Sequence, residues 1–313
     1  MAKKVATREA YGKALVEMGK SNQNIVVLDA DLSKSTKTAE FAKVYPERFF
    51  NVGIAEQNLM GTAAGLAASG KIPFVSTFAM FATGRAFEQI RNTIAYPKLN
   101  VKIAATHAGI TVGEDGASHQ AIEDISLMRS IPNMTVIVPA DAGEAEAAVK
   151  AAAELDGPVY LRLGRSGVPL ITKKEGDSFQ IGKGILLKDG SDVVLVGTGM
   201  MVDACLQAAE TLKEAGVSAA VLDIHTIKPL DRDLLVSLAQ KTGAVVTAEE
   251  HSIIGGLGSA VAEVLGENCP VPMKRVGIKD EFGQSGAPGE LLEKYSLTPA
   301  EILSAVRELI KRK

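Results

Sequence analysis

The feature that most restricts the fold is the alternation of short apolar runs with longer amphipathic segments along the chain. Residues 25–28, 72–76 and 193–196 are apolar runs of strand length, and each is followed by a segment with helical spacing. This order is typical of parallel sheets covered by helices. The sequence therefore predicts an α/β fold with mainly parallel sheets flanked by helices.

The length and a break in the pattern predict two domains. The chain has 313 residues, and a domain takes about 150. Residues 171–181 are polar and interrupt the periodicity, with Lys173, Lys174, Gly176 and Asp177 among them. We expect one domain over residues 1–170, a linker over 171–182, and a second domain over 183–313.

Charge and composition exclude several classes of partner. A net charge of -3 gives no basic surface for nucleic acid or for an anionic membrane. No apolar run approaches the length that spans a bilayer, and the first residues lack the apolar core of a secretory signal. Two cysteines fit a reducing compartment. We expect a cytoplasmic protein with neither nucleic-acid nor membrane partners.

Local signals indicate where helices begin and where a site could lie. Thr7 is expected to cap the first helix, and Asp141 with Glu144 forms a capping-box-like start to an alanine-rich helix. In parallel sheets, ligands collect beyond the carboxyl ends of the strands. His107 and Arg165 follow two such ends, as does Asp31. The sequence therefore predicts a ligand site at this edge.

A glycine-rich loop over residues 108–118 strengthens this expectation. His107, Glu114, Asp115 and His119 lie in or beside it. Histidine and carboxylate side chains can bind metals, but their spacing matches no common zinc pattern. Asp115 could also belong to a simple turn, and Glu56 alone would be interpreted as an acid at a helix start.

Many short motifs, in order along nearly the whole chain, resemble those of the transketolase family. They are ATR (6–8), DADLSKS (29–35), IAEQN (54–58), STFAMF (76–81), RAFEQIR (85–91), GEDGASHQ (113–120), RSIPN (129–133), TIKPLD (226–231), EH (250–251) with GGLG (255–258), and FGQSG (282–286). One such match would be weak, whereas the ordered set is specific. The resemblance implies a pyrimidine-binding domain followed by a transketolase C-terminal domain.

The resemblance implies thiamine diphosphate as the cofactor. Glu56 looks like the acid that hydrogen-bonds the ring nitrogen of the aminopyrimidine, and Phe78 and Phe81 look like the aromatic wall against that ring. His119 matches a position near the cofactor and the reacting carbonyl. Asp31 is expected near the thiazolium. Phe78 and Phe81 could equally be ordinary core residues.

The resemblance also implies a sugar-phosphate substrate. Arg8, Ser35, His107 and Arg165 match positions that hold the phosphate, for which guanidinium groups are well suited. Asp115 matches the residue that contacts a substrate hydroxyl. Glu56, His107 and His119 are the candidate catalytic residues.

The diphosphate half of the expected cofactor site has no counterpart in the sequence. Family enzymes bind the diphosphate and its divalent metal through a Gly-Asp-Gly motif with a downstream asparagine, and the chain has no such motif. We therefore expect a transketolase N-terminal, diphosphate-binding subunit as partner, carrying Mg²⁺ or Ca²⁺. We also expect the chain to associate with itself as a dimer. We expect no metal ligands in this chain.

The expected activity is transfer of a two-carbon ketol unit between a ketose phosphate and an aldose phosphate, as in the pentose phosphate pathway. One alternative is the β subunit of a 2-oxo-acid dehydrogenase, which has a similar domain pair but does not need the phosphate-binding residues. A 1-deoxyxylulose-5-phosphate synthase is a second, although it is usually one longer chain. The third is a non-catalytic binding module that kept the fold.

Overall fold

The computed structural model describes residues 4–172 and 179–311. Its first half contains eight strands and six α-helices among these residues. The strands are β1 (Val5–Ala6), β2 (Ile25–Asp29), β3 (Phe49–Asn51), β4 (Ile72–Ser76), β5 (Lys102–Ala105), β6 (Thr135–Ile137), β7 (Val159–Arg162) and β8 (Gly167–Val168). The helices are α1 (Thr7–Ser21), α2 (Ser33–Thr36), α3 (Ala39–Val44), α4 (Glu56–Ala68), α5 (Asp124–Ser130) and α6 (Ala142–Glu154).

The described part of the second half repeats the alternation of strand and helix. Its strands are β9 (Ile185–Lys188), β10 (Val193–Gly197), β11 (Ala219–Asp223), β12 (Thr226–Lys228), β13 (Val245–Ser252) and β14 (Met273–Ile278). Its helices are α7 (Met201–Glu214), α8 (Arg232–Thr242), α9 (Leu257–Asn268), α10 (Pro288–Lys294) and α11 (Pro299–Ile310).

Two mainly parallel sheets form the framework. The first has the strand order β12-β6-β7-β5-β4-β2-β3, and all its pairs are parallel except β12 with β6. The second has the order β14-β13-β10-β11-β9, with only β9 antiparallel. A short antiparallel pair, β1 with β8, lies beside them. The predicted α/β class is confirmed.

Strand β2 illustrates how an apolar run becomes a central strand. Its residues are all buried, and successive side chains point to opposite faces. Ile25 and Val27 join the core with α1 and α6, whereas Val26 and Leu28 join the core with α4. That second core also takes in side chains of β10 and β11. The two sheets therefore share one apolar core.

Several local predictions are confirmed and others need correction. Asp141 caps α6 by accepting the N–H of Glu144 at 2.9 Å, as predicted. Thr7 is not a helix cap, since Ala6 precedes α1 and the Thr7 hydroxyl instead accepts the Gly164 N–H at 2.8 Å. The segment after β4 has helical spacing, but it contains two π-helical stretches, Phe81–Arg85 and Gln89–Ala95, rather than one regular α-helix.

The domain boundaries stay predictions. The four polar residues that mark the linker, Lys173, Lys174, Gly176 and Asp177, lie outside the described residues. Strand β12 belongs to the later part of the chain but completes the edge of the first sheet. Among the residues described, no helix is both long and apolar enough to cross a membrane.

Candidate functional site

The candidate site lies along the carboxyl edge of the first sheet. Asp31, Phe78, His107 and Arg165 follow the ends of β2, β4, β5 and β7 by two or three residues. Glu56 begins α4, shortly after β3. Because these strands are parallel, the loops that follow them emerge at the same edge. The structure thus brings the predicted residues to one side of the sheet.

Arg8, His107 and Arg165 form a cationic corner of this edge. Nη1 of Arg8 donates to the main-chain oxygen of Ser35 at 2.8 Å and lies 3.1 Å from Nε2 of His107. Since arginine can only donate, Nε2 must accept, and the imidazole proton is on Nδ1. Nδ1 then donates to the Thr106 hydroxyl, 2.8 Å away. Ser35 takes part through its carbonyl, so phosphate binding by its hydroxyl stays a prediction.

The electrostatics of the cationic corner suit an anion. Burial, together with Arg8, Arg165 and His119, lowers the pKa of His107 to about 3, so the imidazole is neutral at ordinary pH. Burial and the charge of Arg165 also lower the pKa of Arg8. Nε of Arg8 is buried and has no hydrogen-bond partner among the described residues. Two cations and an unused donor therefore face a region that an anion would stabilise.

An aromatic surface continues from the cationic corner. The ring of Phe78 stacks on His107 with centroids 3.8 Å apart and on Phe81 at 6.0 Å. The His119 ring meets Phe81 edge-on at 5.2 Å. His107 has a positive φ of 57°, which is uncommon for a residue with a side chain and is often found at functional sites. A flat ring could stack on this surface.

Glu56 lies at the far end of the aromatic surface. Its side chain is only 2% exposed, although it stands at the start of a helix. Nη1 of Arg85 donates to both carboxylate oxygens at 2.9 Å, and the guanidinium lies over the Phe81 ring at 4.7 Å from its centroid. Arg85 is not among the residues predicted for the site. Its only sequence signal is its place in the 85–91 motif.

Asp31 stands at the same edge and is held by a reciprocal pair of hydrogen bonds. Its N–H donates to Asn51 Oδ1 at 3.1 Å, and its carboxylate accepts from Asn51 Nδ2 at 3.0 Å. Asp31 has a φ of 65°, so both it and His107 occupy the left-handed region. The carboxylate is thus oriented by β3, and its predicted nearness to the cofactor remains a prediction.

The loop that carries Asp115 and His119 is anchored by the second half of the chain. Nε2 of Gln120 donates to the main-chain oxygen of Gln284 at 2.9 Å, and the Ser285 hydroxyl donates to the main-chain oxygen of Glu114 at 2.7 Å. Asp115 itself is exposed, and no described side chain of the cationic corner forms a hydrogen bond or ion pair with it. Gln120, Gln284 and Ser285 are not among the predicted site residues, because these contacts join positions more than 160 residues apart.

Arg165, which is predicted to hold a phosphate, makes its contacts with residues of the same chain instead. Its guanidinium donates to the Val112 oxygen and lies 3.2 Å from the Glu114 carboxylate. It is therefore directed partly toward the glycine-rich loop. The contact with Glu114 is exposed, so an anion with a higher charge density could replace Glu114 at little cost.

The described residues fit the aminopyrimidine of thiamine diphosphate better than its diphosphate and metal. A buried carboxyl beside stacked aromatic rings suits an aminopyrimidine, which presents a flat face and a ring nitrogen that can accept a proton. A diphosphate with its metal needs converging oxygen ligands. Within residues 4–172 and 179–311, no group of three or more His, Cys, Asp or Glu side chains could hold a metal ion.

Two family models match the chain. One describes the pyrimidine-binding domain of transketolase and covers residues 3–169. The other describes the transketolase C-terminal domain and covers residues 182–302.

Three similar proteins match over almost their full length. A protein of Methanocaldococcus jannaschii, named for a transketolase C-terminal section, is 53% identical over 307 residues, which are 97% of this chain and 96% of that protein. A 6-deoxy-6-sulfo-D-fructose transketolase subunit from a Clostridium species is 47% identical over 306 residues, covering 98% and 95%. A solved structure described as a split-gene transketolase in an inactive β4 tetramer is 62% identical, with a TM-score of 0.92 and coverage of 98% and 99%.

Proposed function

The chain belongs to the transketolase family, and on that premise we propose that it forms the pyrimidine-binding half of a thiamine-diphosphate-dependent ketol transferase. The observation that carries the proposal is the buried Glu56 carboxylate next to the Phe78–Phe81 surface. When bound, the cofactor supplies the electron sink for cleaving and forming the carbon–carbon bond. The protein's own task is to orient reactants and to hold protons at defined atoms.

Glu56 holds a proton at the ring nitrogen of the pyrimidine in this proposal. A carboxyl group can share a proton with such a nitrogen, and burial excludes water that would compete for it. Phe78 and Phe81 hold the flat ring by stacking. His119, edge-on to Phe81, is placed to hydrogen-bond a reacting carbonyl, and Asp31 orients the reactants from the neighbouring strand end.

The cationic corner binds the phosphate of a ketose phosphate and of an aldose phosphate. Nε of Arg8 supplies an unused buried donor, and Arg165 turns from Glu114 to the phosphate. Ser35 adds its hydroxyl, while Asp115 accepts a hydrogen bond from a sugar hydroxyl. The sulfo-fructose relative acts, by its name, on a sugar with a different anionic group, so the choice of phosphate and a role in the pentose phosphate pathway belong to the proposal.

A partner subunit supplies the diphosphate and metal site. This part rests on the lack of a metal cluster in the described portion of the chain and on an exposed face of α4. Gly61 and Gly65 lie in the interior of this helix, and a Cβ at either would meet nothing within 4 Å. A helical glycine costs about 1 kcal/mol relative to alanine, and nothing among the described residues packs against either position. Ile54, two residues before Glu56, is 77% exposed.

We assign the face of α4 that carries Gly61 and Gly65, together with Ile54 just before the helix, to contacts with other subunits. Small residues let a second backbone approach a helix closely, and an exposed isoleucine supplies apolar area. The partner in the proposal is an N-terminal, diphosphate-binding transketolase subunit with Mg²⁺ or Ca²⁺. Self-association of this chain as a dimer is consistent with the β4 tetramer named for its 62% identical relative.

The test is substitution of Glu56 in the complex with the diphosphate-binding subunit. Glu56→Gln keeps the size of the side chain but cannot provide the acid, so the rate of ketol transfer should fall by about 10²–10⁴-fold. Glu40→Gln, which changes an exposed acid on α3, is the matched control and should stay within a factor of two. A Glu56→Gln rate close to that of the control would remove Glu56 from the mechanism.

A further inference from the structure

Arg85 makes two contacts that together define a ligand position. One is the hydrogen-bonded ion pair with Glu56, in which Nη1 lies 2.9 Å from each carboxylate oxygen. The other is the stack of the guanidinium on Phe81, 4.7 Å from the ring centroid. A guanidinium is flat and donates hydrogen bonds at its edge while its face rests on an aromatic ring. These are the contacts expected of a flat heterocycle bound between Glu56 and Phe81.

Exposure shows that Arg85 covers the carboxylate from the solvent side. The side chain of Arg85 is 50% exposed, whereas that of Glu56 is 2% exposed. With both oxygens facing the same Nη1, the arginine stands between the carboxylate and the open edge. A ring nitrogen that approaches Glu56 from this edge therefore meets the guanidinium first.

The Arg85 side chain can rotate while its main chain stays in place. Arg85 ends the π-helical stretch Phe81–Arg85, a wide turn that is uncommon and frequent at functional sites. The Gln57 side chain donates to the Arg85 oxygen at 3.2 Å, which holds the main chain while the side chain stays half-exposed. Release of the guanidinium into water requires rotation of the side chain alone. It would leave the buried Glu56 carboxylate unpaired, so release is favourable only when a ligand takes over the carboxylate.

We propose that Arg85 is a latch on Glu56 that occupies the position of the pyrimidine ring until the ring takes over both contacts. The proposal rests on the proposed function, since it assumes that a flat, nitrogen-containing ring binds at Glu56. The latch keeps the buried carboxylate paired in the chain before cofactor binds. It also weakens ligand binding, because a ligand must replace both the ion pair and the stacking contact.

The test compares cofactor affinity in the complex of this chain with the diphosphate-binding subunit. Thiamine diphosphate is titrated calorimetrically in the presence of Mg²⁺. Arg85→Gln should lower the Kd about threefold to tenfold, because the ligand no longer has to displace a half-buried ion pair and a cation–π contact. Arg91→Gln removes an exposed arginine that bonds Asn92 rather than Glu56, and its Kd should stay within twofold of the unaltered protein. An unchanged or higher Kd in Arg85→Gln overturns the latch, as does failure of this variant to assemble.

A double-mutant cycle separates the latch from a general effect of charge. If Arg85 acts through Glu56, the gain from Arg85→Gln should vanish, to within twofold, in a Glu56→Gln background. The same gain in both backgrounds contradicts the latch. Wild-type ketol transfer by Glu56→Gln alone would instead refute the proposed function, so the two failures are distinguishable.

Discussion

The cationic corner and a second charged cluster use similar residues in opposite ways. The second cluster, the polar seam, consists of Asp124, Tyr160, Arg162 and His251 between the two halves of the chain. Arg162 Nε donates to Asp124 Oδ2 at 2.8 Å, and the Tyr160 hydroxyl donates to the same oxygen at 2.6 Å. Arg162 Nη2 also donates to the main-chain oxygen of Glu250 at 2.9 Å. All these side chains are buried.

The two clusters differ in whether the chain supplies the opposite charge. In the polar seam, the buried Arg162 has the buried carboxylate of Asp124. In the cationic corner, the imidazole of His107 beside Arg8 is neutral, and Arg165 pairs with the largely exposed Glu114. In a neutralised buried cluster each charge depends on its partner for the chain to fold, whereas a cluster whose cations are only partly compensated is suited to bind an anion. Both clusters contain arginine and histidine, so it is the presence or absence of a buried carboxylate that distinguishes a structural cluster from a binding site here.

The largest effect is expected from the polar seam. Asp124→Asn leaves Arg162 buried without its carboxylate and should reduce the free energy of unfolding by about 3–5 kcal/mol. Urea denaturation measures this. Glu263→Gln, which removes the largely exposed partner of Arg129, should cost less than about 1 kcal/mol. Similar losses in both variants would mean that the seam is not a special source of stability.

The next effect belongs to the cationic corner and concerns activity rather than folding. Arg165→Ala in the complex should lower kcat/KM for a phosphorylated ketose about 10- to 150-fold, which corresponds to the loss of one charge-assisted contact of about 1.5–3 kcal/mol. An unphosphorylated ketol should lose less than about twofold. Arg307→Ala, on the exposed side of α11, is the control. Equal losses on both substrates would count against a phosphate site.

A pH series tests the neutral imidazole. The folded chain takes up a proton on His107 only near pH 3, whereas the unfolded chain does so near its usual pKa of 6.5. Below pH 6.5 the unfolded state therefore binds more protons, and stability falls as the pH decreases toward 3. In His107→Asn this contribution is absent, so the variant should gain stability relative to the original chain over that range. Unfolding free energies that stay parallel from pH 7 to pH 4 would contradict this.

The smallest effect tests the exposed face of α4. Gly61→Ala should raise the stability of the free chain by about 0.5–1 kcal/mol, because alanine favours a helix and meets open space there. It should also weaken assembly with the other subunits. Gly19→Ala on α1 is the contrast, since its Cβ would lie 2.6 Å from the Phe41 ring and should destabilise the chain. Thermal unfolding and light scattering measure both effects, and unchanged assembly of Gly61→Ala would remove this face from the interface.

Much of the fold could be predicted because its signals are local. Apolar runs of strand length correspond to β2, β4 and β10, and Asp141 with Glu144 correctly marks the start of α6. The placement of site residues after strand ends follows from the same pattern. It needs only the rule that parallel strands end at one edge.

The rest depends on contacts that no local pattern encodes. Strand β12 has three residues and reaches the first sheet through pairing with β6, about 90 positions earlier. Arg85 reaches Glu56 across 29 positions, and the same motif would be compatible with a solvated arginine. The Thr7 hydroxyl was available either as a cap or as an acceptor for Gly164. In each case the tertiary structure decides between local alternatives of similar energy.

The most direct test of the account is reconstitution of ketol transfer from purified chains. This chain, a subunit carrying the Gly-Asp-Gly and asparagine motif, and their mixture are assayed with thiamine diphosphate, Mg²⁺, a ketose phosphate and an aldose phosphate. If the proposed function holds, turnover occurs in the mixture alone, because this chain would supply Glu56 and the cationic corner and the partner would supply the diphosphate site. Turnover by this chain without a partner, or a mixture that assembles but remains inactive, would contradict it.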